Sequence, residues 1–205
     1  MSDRPFRIIL AAAAAGLAAA ALLAFLLGRS IWALDAAVIG LLLVAVFFAR
    51  RALNLTPLLY GLIVSIGMFH CAGVAGLYGM VFIGLEYDTY VHAWNTFVLG
   101  LAAFRYMRKH PAGKAEAAIM ALLITLGLGL ANELVEFAGY KIGGRGDGWF
   151  LMGPGDIGRE DAYGNLMTDF ANDLGGAAAG VAVSLLALTL REKRSQRLKG
   201  AGGRG

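Results

Sequence analysis

Five carboxylates and two histidines stand within or at the ends of long apolar runs: Asp88 with His92, Glu133 with Glu136, Asp169 with Asp173, and His70 further upstream. Asp88/His92 and Asp169/Asp173 are four residues apart and Glu133/Glu136 three apart, so on a helix each pair shares one face. A carboxylate held inside a bilayer costs about 2.5–3.5 kcal/mol even on lenient scales, so such residues need cations, protons or donors as partners. Oxygen-rich ligands beside an imidazole suit a hard or borderline divalent cation such as Mg²⁺, Mn²⁺ or Zn²⁺. The expected metal ligands are Glu133, Glu136, Asp169 and Asp173, with His92 and Asp88 as the catalytic pair, His92 serving as general base or phosphate partner. His70, Asn132, Asn165 and Asn172 are expected to complete the pocket. The competing structural reading is a buried polar network that only ties helices together, with Lys141 or Arg145 as counter-charges.

The elements that must carry these residues are apolar helices. The chain of 205 residues is 59% hydrophobic with a mean hydropathy of +0.67, far above a soluble domain. Six segments are long and apolar enough to span a bilayer, at 6–27, 31–49, 57–80, 89–107, 115–138 and 166–190. The expected fold is therefore all-α: a polytopic six-helix transmembrane bundle over 1–190 with a basic tail at 191–205. The first segment follows Arg4 and Arg7 in the manner of a signal peptide, yet it has the length of a full span and no clear cleavage site, so it reads as a retained helix. The net charge of +4 reflects basic residues clustered at the ends of apolar runs, which argues topology and not nucleic acid. Cys71, the single cysteine, excludes an intrachain disulfide and any multi-cysteine metal site.

Six alternating spans put 14 Lys and Arg residues on the side of both termini and 4 on the other, which predicts cytoplasmic termini. On that topology Asp88/His92, Glu133/Glu136 and Asp169/Asp173 all fall in the outer turns of the fourth, fifth and sixth segments, none more than about 10 Å below its outer end. Asp169 lies near a helix N-terminus, where the macrodipole favours an anion; Glu133 and Glu136 lie near a C-terminus and need a proton or a cation. The outer connection 139–165 holds nine glycines in 27 residues around a Trp149 to Met152 tip and reads as a lid over the pocket. Gly175, Gly176 and Gly180 read as a helix-packing face.

The motifs HCAG at 70–73, YDTYVHAWNTFVLG at 87–100, ELVE at 133–136 and NLMTDFANDLGG at 165–176 resemble those of the YjdF family of bacterial inner-membrane proteins, itself similar to VanZ-like proteins. The resemblance covers about 57–185 and carries His70, Gly73, Asp88, His92, Glu133, Glu136, Asp169, Asp173 and Gly176; it departs at Asn165, where the family pattern has an acid. It implies an inner-membrane protein with an acidic, histidine-containing site and a link to the cell envelope, and supplies no reaction. Three activities stay open at this point. One is a metal-dependent enzyme acting on a membrane lipid or polyprenyl phosphate; the others are a cation- or proton-coupled carrier and a non-catalytic envelope-stress module.

Overall fold

The computed structural model describes residues 3–28, 30–143 and 162–202. Six long helices follow one another: α1 (Arg4–Leu26), α2 (Ser30–Ala49), α3 (Pro57–Val74), α4 (Tyr87–Met107), α5 (Lys114–Gly143) and α6 (Ala162–Gly202). Start signals are local. Pro57 occupies the first turn of α3 behind Thr56, whose hydroxyl accepts the Leu59 N–H at 3.2 Å, so one orphan donor is satisfied and the missing proline N–H removes no bond. Between α3 and α4 the chain makes a 3₁₀ turn, Leu77–Gly79, and a small antiparallel hairpin of β1 (Val81–Phe82) and β2 (Leu85–Glu86). Ile83 and Gly84 at its tip both have positive φ, 51° and 80°, as a type I′ turn requires. The apolar run predicts a third span reaching residue 80 and a plain connection after it, but α3 ends at Val74 and the turn and hairpin follow.

Two packed groups make up the bundle. Phe6, Leu17, Ile39, Leu43, Leu59 and Tyr60 form the core of α1 to α3, where the fully buried Tyr60 donates its hydroxyl to the Leu43 carbonyl at 3.1 Å. Ala103, Phe104, Ala117, Ala121 and Val181 form the core of α4 to α6, small residues at 117 and 121 letting α5 come close. The two groups join where α3 lies on α4. Large apolar side chains point outward, with Leu41, Phe48 and Leu58 each more than 70% exposed, while Asp35, His70, His92, Glu133, Asp169 and Asp173 lie inside; that inversion fits a protein surrounded by lipid.

Five of the six helices are apolar and long enough to cross a membrane. The exception is α4, whose first half carries Asp88, His92, Asn95 and Thr96. It still runs the full thickness, since its 21 residues rise about 31 Å, and it is the central helix, packed on α3, α5 and α6. Its polar residues are sheltered by neighbours, so hydropathy understates its place in the bundle.

The ends of the bundle differ in charge. Asp3 pairs with Arg50 at 2.8 Å and Arg51 at 3.3 Å, Asn54 exchanges hydrogen bonds with Arg105, and Lys114 pairs with Glu192, so the basic helix ends gather together. Arg50 also lies 4.2 Å from the centre of the Phe47 ring. The hydrogen bond from Arg50 holds the Asp3 carboxyl below its ordinary range. A depressed folded-state value contributes stability that is full above the unfolded carboxylate value near about pH 3.9 and is lost as pH falls through the folded one. Asp3→Asn should therefore melt below the wild type at pH 6, with the gap closing as the pH is taken below the carboxylate range. A gap independent of pH would show that the pair contributes nothing through its charge.

Candidate functional site

His92 lies at the centre of the opposite, acidic end, on the α4 face turned toward α5 and α6, and is 7% exposed. Each ring nitrogen faces two carboxylates. Nδ1 is 3.1 Å from Asp173 Oδ1 and 3.8 Å from Glu133 Oε1; Nε2 is 3.6 Å from Asp88 Oδ2 and 3.8 Å from Asp169 Oδ1. One imidazole thus links acids from three helices. Among the described residues it is the only basic side chain within ion-pair reach of these four carboxylates.

Helix packing explains how acids of like charge come so near. Gly176 and Gly180 of α6 lie against the Ala93 and Phe97 carbonyls of α4, and Gly100 of α4 lies against Ala177. This glycine seam brings Asp169 and Asp173 alongside His92. Gly175, expected on the same face, meets nothing within 4 Å and points away. On α5, Gly129 leaves the space taken by the Asp173 carboxylate. Thr96, buried one turn below His92, donates its hydroxyl to the His92 carbonyl at 2.8 Å, so its polar group is satisfied within the helix.

The amides act on the rim of the cluster. Asn165 donates to Asp169 Oδ2 at 2.8 Å and Asn132 to Glu136 Oε1 at 2.6 Å, each from one turn away on its own helix. Asn172 Nδ2 and Glu133 Oε1 are buried without a hydrogen-bond partner. Two sets of three side chains can each bring one ligand atom within 4.8 Å of the others: Asp88, His92 and Asp169 on the Nε2 side, and His92, Glu133 and Asp173 on the Nδ1 side. Glu136 belongs to neither set and faces a cavity. Lys141 is exposed, over the rings of Phe137 and Tyr140. Arg145, Arg159 and the Trp149 to Met152 tip of the expected lid lie outside the described residues.

That cavity, of about 250 Å³, runs between α2, α3, α4 and α5. Its polar end is formed by Asp88, His92, Asn132 and Glu136 on one side and His70 and Tyr78 on the other. From there Ile39, Leu43, Val46, Ile63 and Leu99 line a trough leading toward the basic end. His70 is therefore not part of the His92 cluster but faces it across the slot.

Sequence reasoning passed over two residues that complete the His70 side. Asp35 of α2 is 3% exposed, with Oδ2 3.6 Å from His70 Nε2. The Tyr78 hydroxyl lies 2.9 Å from His70 Nδ1. The signal for Asp35 was present, since it is a lone acid inside a 20-residue apolar helix, where an acid is costly without a partner. No curated protein and no solved structure matches the chain. Residues 7–193, from the first turns of α1 to the polar end of α6 and taking in every side chain of the site, match the family described as predicted membrane protein (DUF2238), and the chain belongs to that family.

Proposed function

We propose that this is a bacterial inner-membrane protein with both termini cytoplasmic, whose outward-facing His92 centre holds a divalent cation and acts on a lipid or polyprenyl phosphate. The observation that carries this reading is the slot: a cavity with a polar end, where Asp88, His92, Asn95 and Glu136 meet His70 and Tyr78, and an aliphatic trough beyond it. Such a shape suits an amphiphile with its headgroup at the acids and its chain along Ile39, Leu43, Val46 and Ile63. A phosphate alone would be repelled by Asp88, Glu136 and their neighbours, so a phosphate and a cation belong together here.

The donor set fits such a cation. Asp88, Asp169 and His92 Nε2 offer oxygen and nitrogen to one point, and Asp88 and His92 also line the slot, while a proton on His92 Nδ1 would be held by Asp173, the common arrangement in which a carboxylate orients a metal-binding imidazole. Mg²⁺, Mn²⁺ and Zn²⁺ all accept this set. A bound cation would neutralise the headgroup and polarise its phosphorus–oxygen bonds. Asn132 and Glu136 stand at the slot wall, where a headgroup or an attacking water would be oriented. The resemblance to YjdF and VanZ-like proteins supports an envelope role.

Ligand binding raises stability by mass action, by about 2.7 kcal/mol at a hundredfold excess over the dissociation constant. The purified protein should melt higher with one of the three ions and lower with chelator, and a polyprenyl phosphate should add a further rise only when that ion is present. Asp88→Asn/Asp169→Asn should abolish both shifts. Identical melting under all conditions, with no metal in elemental analysis, would leave the polar network as a purely structural device.

A further inference from the structure

Across the slot from His92, Asp35, His70 and Tyr78 form a chain of three groups from two helices and the connection before α4. Tyr78 enters it from the 3₁₀ turn, with its ring 5.8 Å from that of His70 and 5.7 Å from that of Tyr87. Gly73 makes this seat, since a Cβ there would meet the Tyr78 ring. His70 Nδ1 is hydrogen-bonded to the Tyr78 hydroxyl, and Nε2 is directed at Asp35. Asp35 Oδ2 and His70 Nε2 are both buried without a hydrogen-bond partner, beside a separate cavity of about 50 Å³ that they line with Trp32 and Cys71. A buried carboxylate aimed at an imidazole whose other nitrogen meets a hydroxyl is the arrangement by which a base is oriented and its protonated form stabilised.

We propose that Asp35, His70 and Tyr78 are a proton relay opening into the slot, with Tyr78 as the group that touches the ligand and His70 and Asp35 as positioning residues that act through it. The inference rests on the slot reading given above and adds a base to the wall opposite the cation centre. When a water or a hydroxyl-bearing headgroup in the slot is deprotonated, its O–H proton passes to the Tyr78 oxygen. The Tyr78 proton passes in turn to His70 Nδ1, and the imidazolium is held by Asp35. The step is a proton transfer alone: it leaves an oxyanion in the slot and an imidazolium at His70, so charge balances. No oxidant or reductant takes part. The other titratable groups facing this relay are Cys71 on α3, Tyr87, Asp88 and His92 on α4, and Glu136 on α5.

An assisted phenol attacks electrophiles faster than an isolated one, and a chain-bearing electrophile will find the slot. The purified full chain is treated with hexadecanesulfonyl fluoride, and labelling of its seven tyrosines is followed by mass spectrometry. In this reaction the tyrosine oxygen bonds to sulfur, fluoride leaves, and the phenolic proton goes to His70. Tyr78 should be labelled at least tenfold faster than any other tyrosine, Asp35→Asn and His70→Gln should each remove most of that advantage, and added imidazole should restore part of it in His70→Ala. Labelling of Tyr78 at the rate of the others would overturn the relay, as would an unchanged rate in the Asp35 and His70 variants. Where a variant does not stay folded, the wild-type ranking of the tyrosines decides. A chelator should leave the ranking unchanged, so failure of the metal centre and failure of the relay give different results: the first alters melting with ions, the second alters labelling.

Discussion

Leucine in place of Gly176 is expected to destabilise the protein by about 3 kcal/mol or more and to remove its response to divalent ions, because the added side chain would strike backbone. A Cβ at Gly176 meets the carbonyl oxygen and carbon of Ala93 and the hydroxyl of Thr96. A flexible side chain could swing aside; a helix carbonyl cannot, so α6 must move away from α4. Asp169 and Asp173 then leave His92 as well, since they ride on the same helix one and two turns away. Gly175→Leu is the matched control, because that position has nothing within 4 Å and should melt within about 0.5 kcal/mol of the wild type, as surface changes do. Thermal melting of both variants in one detergent checks the contrast. Equal effects would mean that the seam does not hold the pair.

The second large effect concerns charge. His92→Gln keeps a side chain of similar size yet removes the one basic group, among the described residues, near Asp88, Glu133, Asp169 and Asp173. Leaving a buried charge set without its partner costs about 3–5 kcal/mol, far more than an exposed pair contributes. The same reasoning predicts rescue. His92→Gln/Asp173→Asn removes one of the stranded acids and should recover part of the loss, although it differs from the wild type at one more position. Additive losses in the double variant, measured by a melting cycle, would contradict the coupling inferred from the 3.1 Å contact.

The fold was legible because spanning helices announce themselves by run length, and proline and glycine mark where runs stop. The within-helix pairs of the site were legible for a related reason: three- and four-residue spacing places Asp88 with His92 and Asp169 with Asp173 whatever the tertiary structure. What spacing does not carry is the identity of a partner on another helix. Asp35 stands 35 residues from His70, alone in its run, and nothing in its neighbourhood names the imidazole it faces. Tyr78 sat in what read as the end of the third span, and only a 3₁₀ turn and the absence of a side chain at Gly73 bring it to His70. Gly129 shows the same limit. A glycine in an apolar run signals a close approach, but that the approaching group is the Asp173 carboxylate depends on the register of α5 against α6. Glu136 shares a helix face with Glu133 by spacing, and in the fold it lines the slot beside Asp88 and His92 while lying in neither set of three.

The glycine seam also decides how a molecule could reach His92. Among the described residues, α4 and α6 touch backbone to backbone along the seam and α5 packs on both. The slot, in contrast, includes Leu42, which is 56% exposed on the face that lipid covers. A guest of the kind proposed would enter past Leu42 sideways, out of the membrane. The supply of such a guest would be set by how many of them share the leaflet, a quantity counted per area and not per volume, so dilution of the surrounding water would leave the rate of encounter unchanged while dilution of the lipid would lower it.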